Sequence, residues 1–192
     1  MAYGNLNVDT ITGSGASSVI VNNGTNNVAG FTTGNNLQIL QNGGGIVFSN
    51  SSATTNSTLN DYETGTWTPS WASTGATFVY STQVAKYTKI GNMVAIYGYI
   101  VCSSVSGTTS NGVSLSGLPF TSSNVSSFYQ PISLGQLYNI TWGGGFPTLY
   151  ISPNSTSASF NNERNGTTET TVTASNVSSG SLMFSGVYQA SF

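Results

Sequence analysis

The chain has 192 residues, of which 4% are charged, with no histidine and a formal net charge of −2. Its three cations, Lys86, Lys89 and Arg164, are too few to line a groove along a phosphate backbone, which argues against nucleic-acid binding. No apolar run reaches the ~20 residues needed to cross a bilayer, so we expect no membrane insertion. So little charge also gives little repulsion between copies, which favours self-association.

The single cysteine and the N-terminal residues show neither of two features that are typical of secreted proteins, an intrachain disulfide and a signal peptide. Cys102 is the single cysteine, so no intrachain disulfide can form, and we expect it to be a small buried side chain on a strand. The segment Met1 to Leu6 lacks the basic region and apolar stretch of a signal peptide.

Residues 1–59 differ in composition from the rest and predict an extended arm of short repeated strands. Short apolar segments separated by Asn/Gly turns begin every nine residues, at Val19, Val28, Leu37 and Ile46. The Ser/Thr/Asn-rich stretch from Asn50 to Leu59 predicts a linker. Because such short strands are marginal without partners, our hypothesis is that the arm orders by pairing with sister chains, three in number. The alternative is a flexible linker.

The clearest strand signal is a hairpin in the middle of the chain. The runs Val84 to Ile90 and Met93 to Cys102 are rich in β-branched and aromatic residues and are separated by Gly91-Asn92, a two-residue hairpin turn. That turn sets a register in which Ile90 faces Met93. Alternation then predicts a core face of Tyr87, Val94, Ile96 and Ile100. The opposite face, which is either solvated or packed on a neighbouring subunit, carries Lys86, Thr88, Ala95, Tyr97 and Tyr99.

The remaining sequence predicts further short strands and loops. Polar loops are expected at 103–112 and at the glycines 143–145, and a second tight hairpin at Asn165-Gly166. Strands are expected at 113–115, within 128–142, at 149–152 and over the strictly alternating tail from 182 to 192. Residues 60–192 therefore predict an all-β domain, of the β-sandwich or jelly-roll-like type.

Catalytic chemistry is scarcely represented. Asp61 and Glu63 are the only close carboxylates, and a glycosidase pair is conceivable. A solvated turn, or a partner for Lys86 or Lys89, is the favoured interpretation. Glu163, Arg164 and Glu169 are expected at a solvated loop tip. We therefore expect no enzyme activity, no catalytic residue, no metal site and no cofactor.

Aromatic residues give the remaining binding candidates. Rings surrounded by amides and hydroxyls serve as stacking platforms for sugars. Trp142 precedes three glycines and Phe146, so Trp142, Phe146 and Tyr138 are the candidate contacts for a glycan or a partner. The alternative, that Trp142 covers the core, is favoured for that residue.

Three motifs carry a family resemblance: Asp61 to Pro69 reads DYETGTWTP, Tyr87 to Asn92 reads YTKIGN, and Gly117 to Phe120 reads GLPF. From Asp61 onward the chain resembles structural proteins of tailed-phage virions, of the tail-fibre or decoration type. The resemblance implies a non-enzymatic, homotrimeric protein on the virion tail or capsid surface, attached to other virion proteins through the N-terminal arm.

Several functions stay open under that resemblance. A small tail-fibre or adhesin component, in contact with a host surface glycan, is favoured. The alternatives are a trimeric capsid decoration (cement) protein and a carbohydrate-binding module. A glycan depolymerase is the least favoured.

Overall fold

The computed structural model describes residues 20–22, 27–31, 37–39, 46–47, 58–59, 62–164, 166 and 168–191. The chain divides into two compact units, an N-terminal unit, Met1–Asn60, and a C-terminal unit, Asp61–Phe192.

The described residues of the N-terminal unit form five short strands, and these strands pair with one another within the chain. β1 (Ile20–Asn22), β2 (Asn27–Phe31) and β3 (Leu37–Ile39) form an antiparallel sheet in that order. β4 (Ile46–Val47) pairs with β5 (Thr58–Leu59). These strands overlap the four apolar segments of the sequence. The linker predicted from residue 50 lies largely outside the described residues, and the pairing with sister chains stays a prediction.

The C-terminal unit is built from one antiparallel sheet with strand order β6-β8-β9-β15-β11-β12-β13-β10-β7, and β14 pairs with β13. The prediction of an all-β class is confirmed. The strands are β6 (Tyr62–Trp67), β7 (Ser70–Ala72), β8 (Ala76–Ile90), β9 (Met93–Gly107), β10 (Ser114–Ser116), β11 (Gln130–Tyr138), β12 (Phe146–Ile151), β13 (Ser157–Glu163), β14 (Thr170–Thr171) and β15 (Ser181–Gln189). One short 3-10 helix, Ala174–Val177, precedes β15.

This sheet is strongly curled. Its two terminal strands, β6 and β7, are joined by only two residues, Thr68 and Pro69, so the ends of a nine-strand path must lie close together. Side chains also tie β7 and β8: the Tyr80 hydroxyl accepts a 2.7 Å hydrogen bond from the Trp71 N–H, and Gln83 donates to the Pro69 carbonyl at 2.8 Å. The hydrogen-bonded path runs without a break and forms half of a barrel.

The central hairpin has the predicted register but longer arms. Ile90 pairs with Met93 and Tyr87 with Ile96, and Gly91 takes a φ of 59° in the turn. The two strands extend from Ala76 to Gly107, so the loop predicted at 103–112 begins only at residue 108. The extra length forms because Phe78 and Val105 pair across the strands and pack against the core.

The core lies on the concave face of the sheet. Its fully buried members come from most of the strands, and include Ile96, Leu115, Ile151, Phe160 and Tyr188. The predicted core residues Val94, Ile96 and Ile100 are buried, Tyr87 packs against them in part, and Cys102 is buried as expected.

β15 occupies a central place between β9 and β11, which confirms the strand predicted at the tail of the sequence. β11 pairs with β15 through residues 133–138 and with β12 through residues 130–132. Where β11 separates from β15, a side chain takes the place of the backbone hydrogen bonds between the two strands: Oε1 of the buried Gln130 accepts a 2.6 Å hydrogen bond from the Gln189 N–H. The hairpin predicted around Asn165-Gly166 is present, since β13 pairs with β14 in antiparallel fashion, but residues 164–169 separate the two strands, so its connection is longer than the predicted two residues.

Candidate functional site

The three predicted aromatic contacts occupy different environments. Tyr138, at the end of β11, is 67% exposed, and Phe146, at the start of β12, is 71% exposed. Trp142, in the loop between them, is half-buried and packs against the core. The rings of these three residues, all in the described part of the chain, do not contact one another. Trp142 thus has the packing role favoured for it, while the other two rings face solvent.

Phe146 projects from a firmly held loop. Arg164 donates a 2.8 Å hydrogen bond to the carbonyl of Gly143, which ties the glycine loop to the end of β13. Gly145 has a φ of 95°, and a Cβ there would lie 2.4 Å from the carbonyl oxygen of Glu163. Only glycine lets the two strands approach so closely. The exposed ring of Phe146 is therefore presented on a fixed support.

A polar and aromatic cluster continues along the same side of β12. Tyr150 shares the face of Phe146 by alternation and meets the ring of Tyr129 edge to face, with centroids 5.7 Å apart. Asn161 on β13 donates to the Tyr150 hydroxyl at 3.1 Å and also to the Glu169 carboxylate. We call these five residues, Phe146, Tyr150, Tyr129, Asn161 and Glu169, the β12 face.

Electrostatics couple Tyr150 to Glu169. The Tyr150 hydroxyl lies 3.4 Å from Glu169 Oε1. Burial, followed by the negative charge of Glu169, raises the pKa of Tyr150 above its ordinary value. The Tyr150 hydroxyl therefore stays protonated and serves as a donor. Rings beside an amide and a carboxylate can stack on a sugar and bind its hydroxyl groups.

A second exposed surface covers the convex side of the sheet. Val84 pairs with Tyr99, which pairs with Met183, so one row crosses three strands on the side opposite the core. Tyr97 lies in the next row beside Lys86. We call this surface the outer face, and its members are Val84, Tyr97, Tyr99, Met183, Val187 and Tyr138. A depression of about 500 Å³ lies among Val84, Tyr97, Tyr99 and Met183.

The motifs of the phage resemblance meet at one place in the fold. From the first motif, Glu63 accepts a hydrogen bond from the hydroxyl of Tyr87 in the second. The Tyr87 ring lies on Gly65, where a Cβ would be 2.6 Å from it. Phe120, from the third motif, meets Tyr87 edge to face at 5.3 Å, and the Lys89 ammonium lies 5.4 Å from the centre of the Phe120 ring. We call these five residues the motif cluster.

The motif cluster is anchored to the core. Buried Tyr188 donates from its hydroxyl to the carbonyl of Phe120 at 2.9 Å and accepts from the Phe120 N–H at 3.2 Å. Burial raises the pKa of Tyr188 to about 12. The hydrogen bond to Glu63 raises the pKa of Tyr87. Residues of all three motifs thus pack against one another or against the core.

These contacts bear on two sequence interpretations. Glu63 accepts a hydrogen bond from Tyr87 and lies opposite Lys89 across the strands, in keeping with the favoured interpretation. Asp61, the other carboxylate of the conceivable glycosidase pair, lies outside the described residues. Glu169 is exposed in the loop before β14, as expected, and its carboxylate in addition accepts hydrogen bonds from Asn161 and Tyr150.

The described residues contain no group of three His, Cys, Asp or Glu side chains that could hold a metal ion. In the same part of the chain, no helix has the length and apolar character to span a membrane.

Comparisons with known proteins bear on the fold. No protein-family model matches the sequence, and no curated protein matches it. Among solved structures, the fold is similar to that of the Dettilon tailspike protein (gp208), with a TM-score of 0.56 and 17% sequence identity. The similarity covers 67% of this chain and 24% of the tailspike, so the chain spans about a quarter of that protein's length. At this identity the likeness concerns the fold alone.

Proposed function

We propose that the chain is a non-enzymatic structural protein of a tailed-phage tail, a small homotrimeric component of the tail-fibre or adhesin type. The observation that carries the proposal is the fold similarity to a tailspike protein over 67% of the chain. The resemblance of the three motifs to those of tailed-phage structural proteins points to the same function, and in the fold the three motifs form one packed cluster. The C-terminal unit presents its exposed faces to partners, and the N-terminal unit attaches to other virion proteins.

The non-enzymatic part of the proposal rests on the distribution of carboxylates. In the described part of the chain, four depressions of about 390 to 500 Å³ have no aspartate or glutamate in their walls. Glycoside cleavage requires two carboxyl groups flanking one bond. Glu63 and Glu169 are instead each hydrogen-bonded to a tyrosine hydroxyl.

Immunogold labelling of intact phage particles tests the location. Antibodies raised against this chain are expected to label the tail or its fibres. Label spread over the head would contradict the tail assignment and favour the capsid decoration protein. Particles without label would contradict a place on the outside of the virion.

Glycan contact is a second candidate function, favoured by the β12 face. Phe146 is an exposed ring on a fixed loop, and Tyr129 and Tyr150 continue the aromatic surface beside Asn161 and Glu169. If this face binds a host surface polysaccharide, Phe146→Ala weakens binding by up to about tenfold, the size of one aromatic contact. The exposed Tyr62, which is not part of this face, gives the matched control Tyr62→Ala. Biolayer interferometry on immobilised polysaccharide measures both variants, and equal losses would contradict the assignment.

A further inference from the structure

We propose that the outer face is the surface through which copies of this chain bind one another. This inference rests on the proposed function, which includes a homotrimer, and adds the part of the molecule that makes the contact. Val84, Tyr97 and Val187 are each more than half exposed, and Tyr138 extends the face on β11. Large apolar side chains thus project from neighbouring strands on the side of the sheet that faces away from the core.

The size of the exposed surface fits a protein interface. Five members of the outer face, all except the half-buried Tyr99, are 44–67% exposed, and Ile90 and Met93 at the hairpin end of the same side are 39% and 46% exposed. These are seven large apolar side chains. At roughly 150–250 Å² for a large side chain, about half exposed, they present on the order of 700 Å². A stable protein interface buries ~800 Å² on each partner, whereas the largest apolar patch of a monomer measures ~300–600 Å².

The charge pattern indicates which partner fits. The six side chains that make up the outer face are uncharged, and the charge beside them comes from Lys86. A partner with several charged groups would bury them without counterions, which is costly. An equally uncharged surface avoids that cost, and a chain with only 4% charged residues supplies one in every copy. Tyrosine and methionine are also enriched in interface cores.

Thiol labelling of the purified full-length chain tests the inference. Val84→Cys places a thiol on the outer face, and Val125→Cys places one on a loop, where the original valine is 60% exposed against 58% for Val84. The native Cys102 is 1% exposed and gives little background. At micromolar concentration the Val84→Cys thiol is expected to react with a maleimide about tenfold more slowly than the Val125→Cys thiol, because only the dissociated fraction reacts.

Two further measurements identify what covers the face. Dilution is expected to remove the protection, and adding Val187→Glu to the Val84→Cys chain is expected to remove it without dilution. Equal labelling rates at the two sites would overturn the inference. Protection that persists in a chain of monomeric mass by light scattering would also overturn it, since the chain's own residues would then cover the face. Immunogold label on the tail alongside equal labelling rates would leave the proposed function standing while this inference fails.

Discussion

At the scale of single residues, close packing decides which substitutions the C-terminal unit tolerates. Phe184 on β15 lies directly over Gly98 on β9, and the two are paired in register. A Cβ on Gly98 would stand 2.1 Å from the Phe184 ring, so the ring must move away. Trp67 meets the other side of that ring, with centroids 5.8 Å apart, and restricts the movement.

We therefore expect Gly98→Ala to lower the free energy of unfolding by about 1–3 kcal/mol, as overpacking does. Gly135→Ala is the matched control, because the nearest atom to a Cβ there is 3.5 Å away, an ordinary contact. Urea unfolding of the two variants checks the expectation. Equal stabilities would show that the ring does not occupy this position.

The Tyr188 hydroxyl gives a second prediction at the residue scale. It serves both the N–H and the carbonyl of Phe120, and Tyr188 is 1% exposed. Tyr188→Phe leaves these two backbone groups without their partner and is expected to cost about 1–3 kcal/mol. The exposed Tyr62 offers the control Tyr62→Phe, expected to stay within about 0.5 kcal/mol. Thermal unfolding of both variants measures the difference.

At the scale of elements, the central place of β15 gives a prediction about truncation. This strand supplies hydrogen bonds to β9 on one side and β11 on the other. Ending the chain after Gly180 would leave two rows of backbone groups unpaired and expose the buried Leu182, Phe184 and Tyr188. We expect the C-terminal unit of this truncated chain not to fold. Circular dichroism that shows a cooperative melt of the sheet in it would contradict this placement.

The elements also show what the sequence could predict. The hairpin at Gly91-Asn92 was predictable because its turn and its alternating faces are local signals. The order of the strands was not predictable, since β15 pairs with β9 through residues that lie 80 (Ser181 and Val101) to 96 (Gln189 and Met93) positions apart, and no local pattern encodes such contacts. Extension of the hairpin to Ala76 and Gly107 was missed for a related reason. The end of the hairpin far from the turn is rich in Ser and Thr, which gives no clear strand pattern. The pairing of Phe78 with Val105 depends on a contact between two strands and is not visible in either strand alone.

The candidate site was predictable to a similar degree. Phe146 and Tyr138 could be singled out because a glycine loop lies between the ends of their strands. The remaining members of the β12 face could not be grouped from the sequence. Glu169 is the last residue of the six-residue loop between β13 and β14, and only the fold of that loop brings it to Tyr150 and Asn161. Tyr129 contacts Tyr150 from the residue just before β11. Alternation did separate Tyr97 and Tyr99 from the core, but Met183 and Val187 joined them only through the pairing of β15 with β9.

At the scale of the whole molecule, buried tyrosines predict how stability depends on pH. Burial raises the pKa of Tyr80 and of Tyr188 from 10 to about 12. The unfolded chain thus loses these protons at lower pH than the folded chain, so their contribution to stability is complete below pH 10 and is lost as the pH rises towards 12. Urea unfolding between pH 9 and pH 11 is expected to show a falling free energy of unfolding. The double variant Tyr80→Phe/Tyr188→Phe is expected to fall less steeply, and an unchanged slope would contradict the assignment.

At the same scale, the two proposals concern different parts of one curled sheet, the outer face and the β12 face. We propose that the outer face, which crosses β8, β9 and β15, joins copies of the chain, and that the β12 face contacts a glycan. The motif cluster serves neither task directly, since it packs β6, β8 and the segment after β10 against Tyr188.

Electron cryo-microscopy of intact phage particles, with the C-terminal unit fitted into a reconstruction of the tail, tests both the location of the chain and the contact between its copies. We expect three copies of the curled sheet on the tail, with their outer faces turned against one another and the β12 faces exposed. Density for this unit on the capsid, or single copies on the tail with a bare outer face, would contradict it.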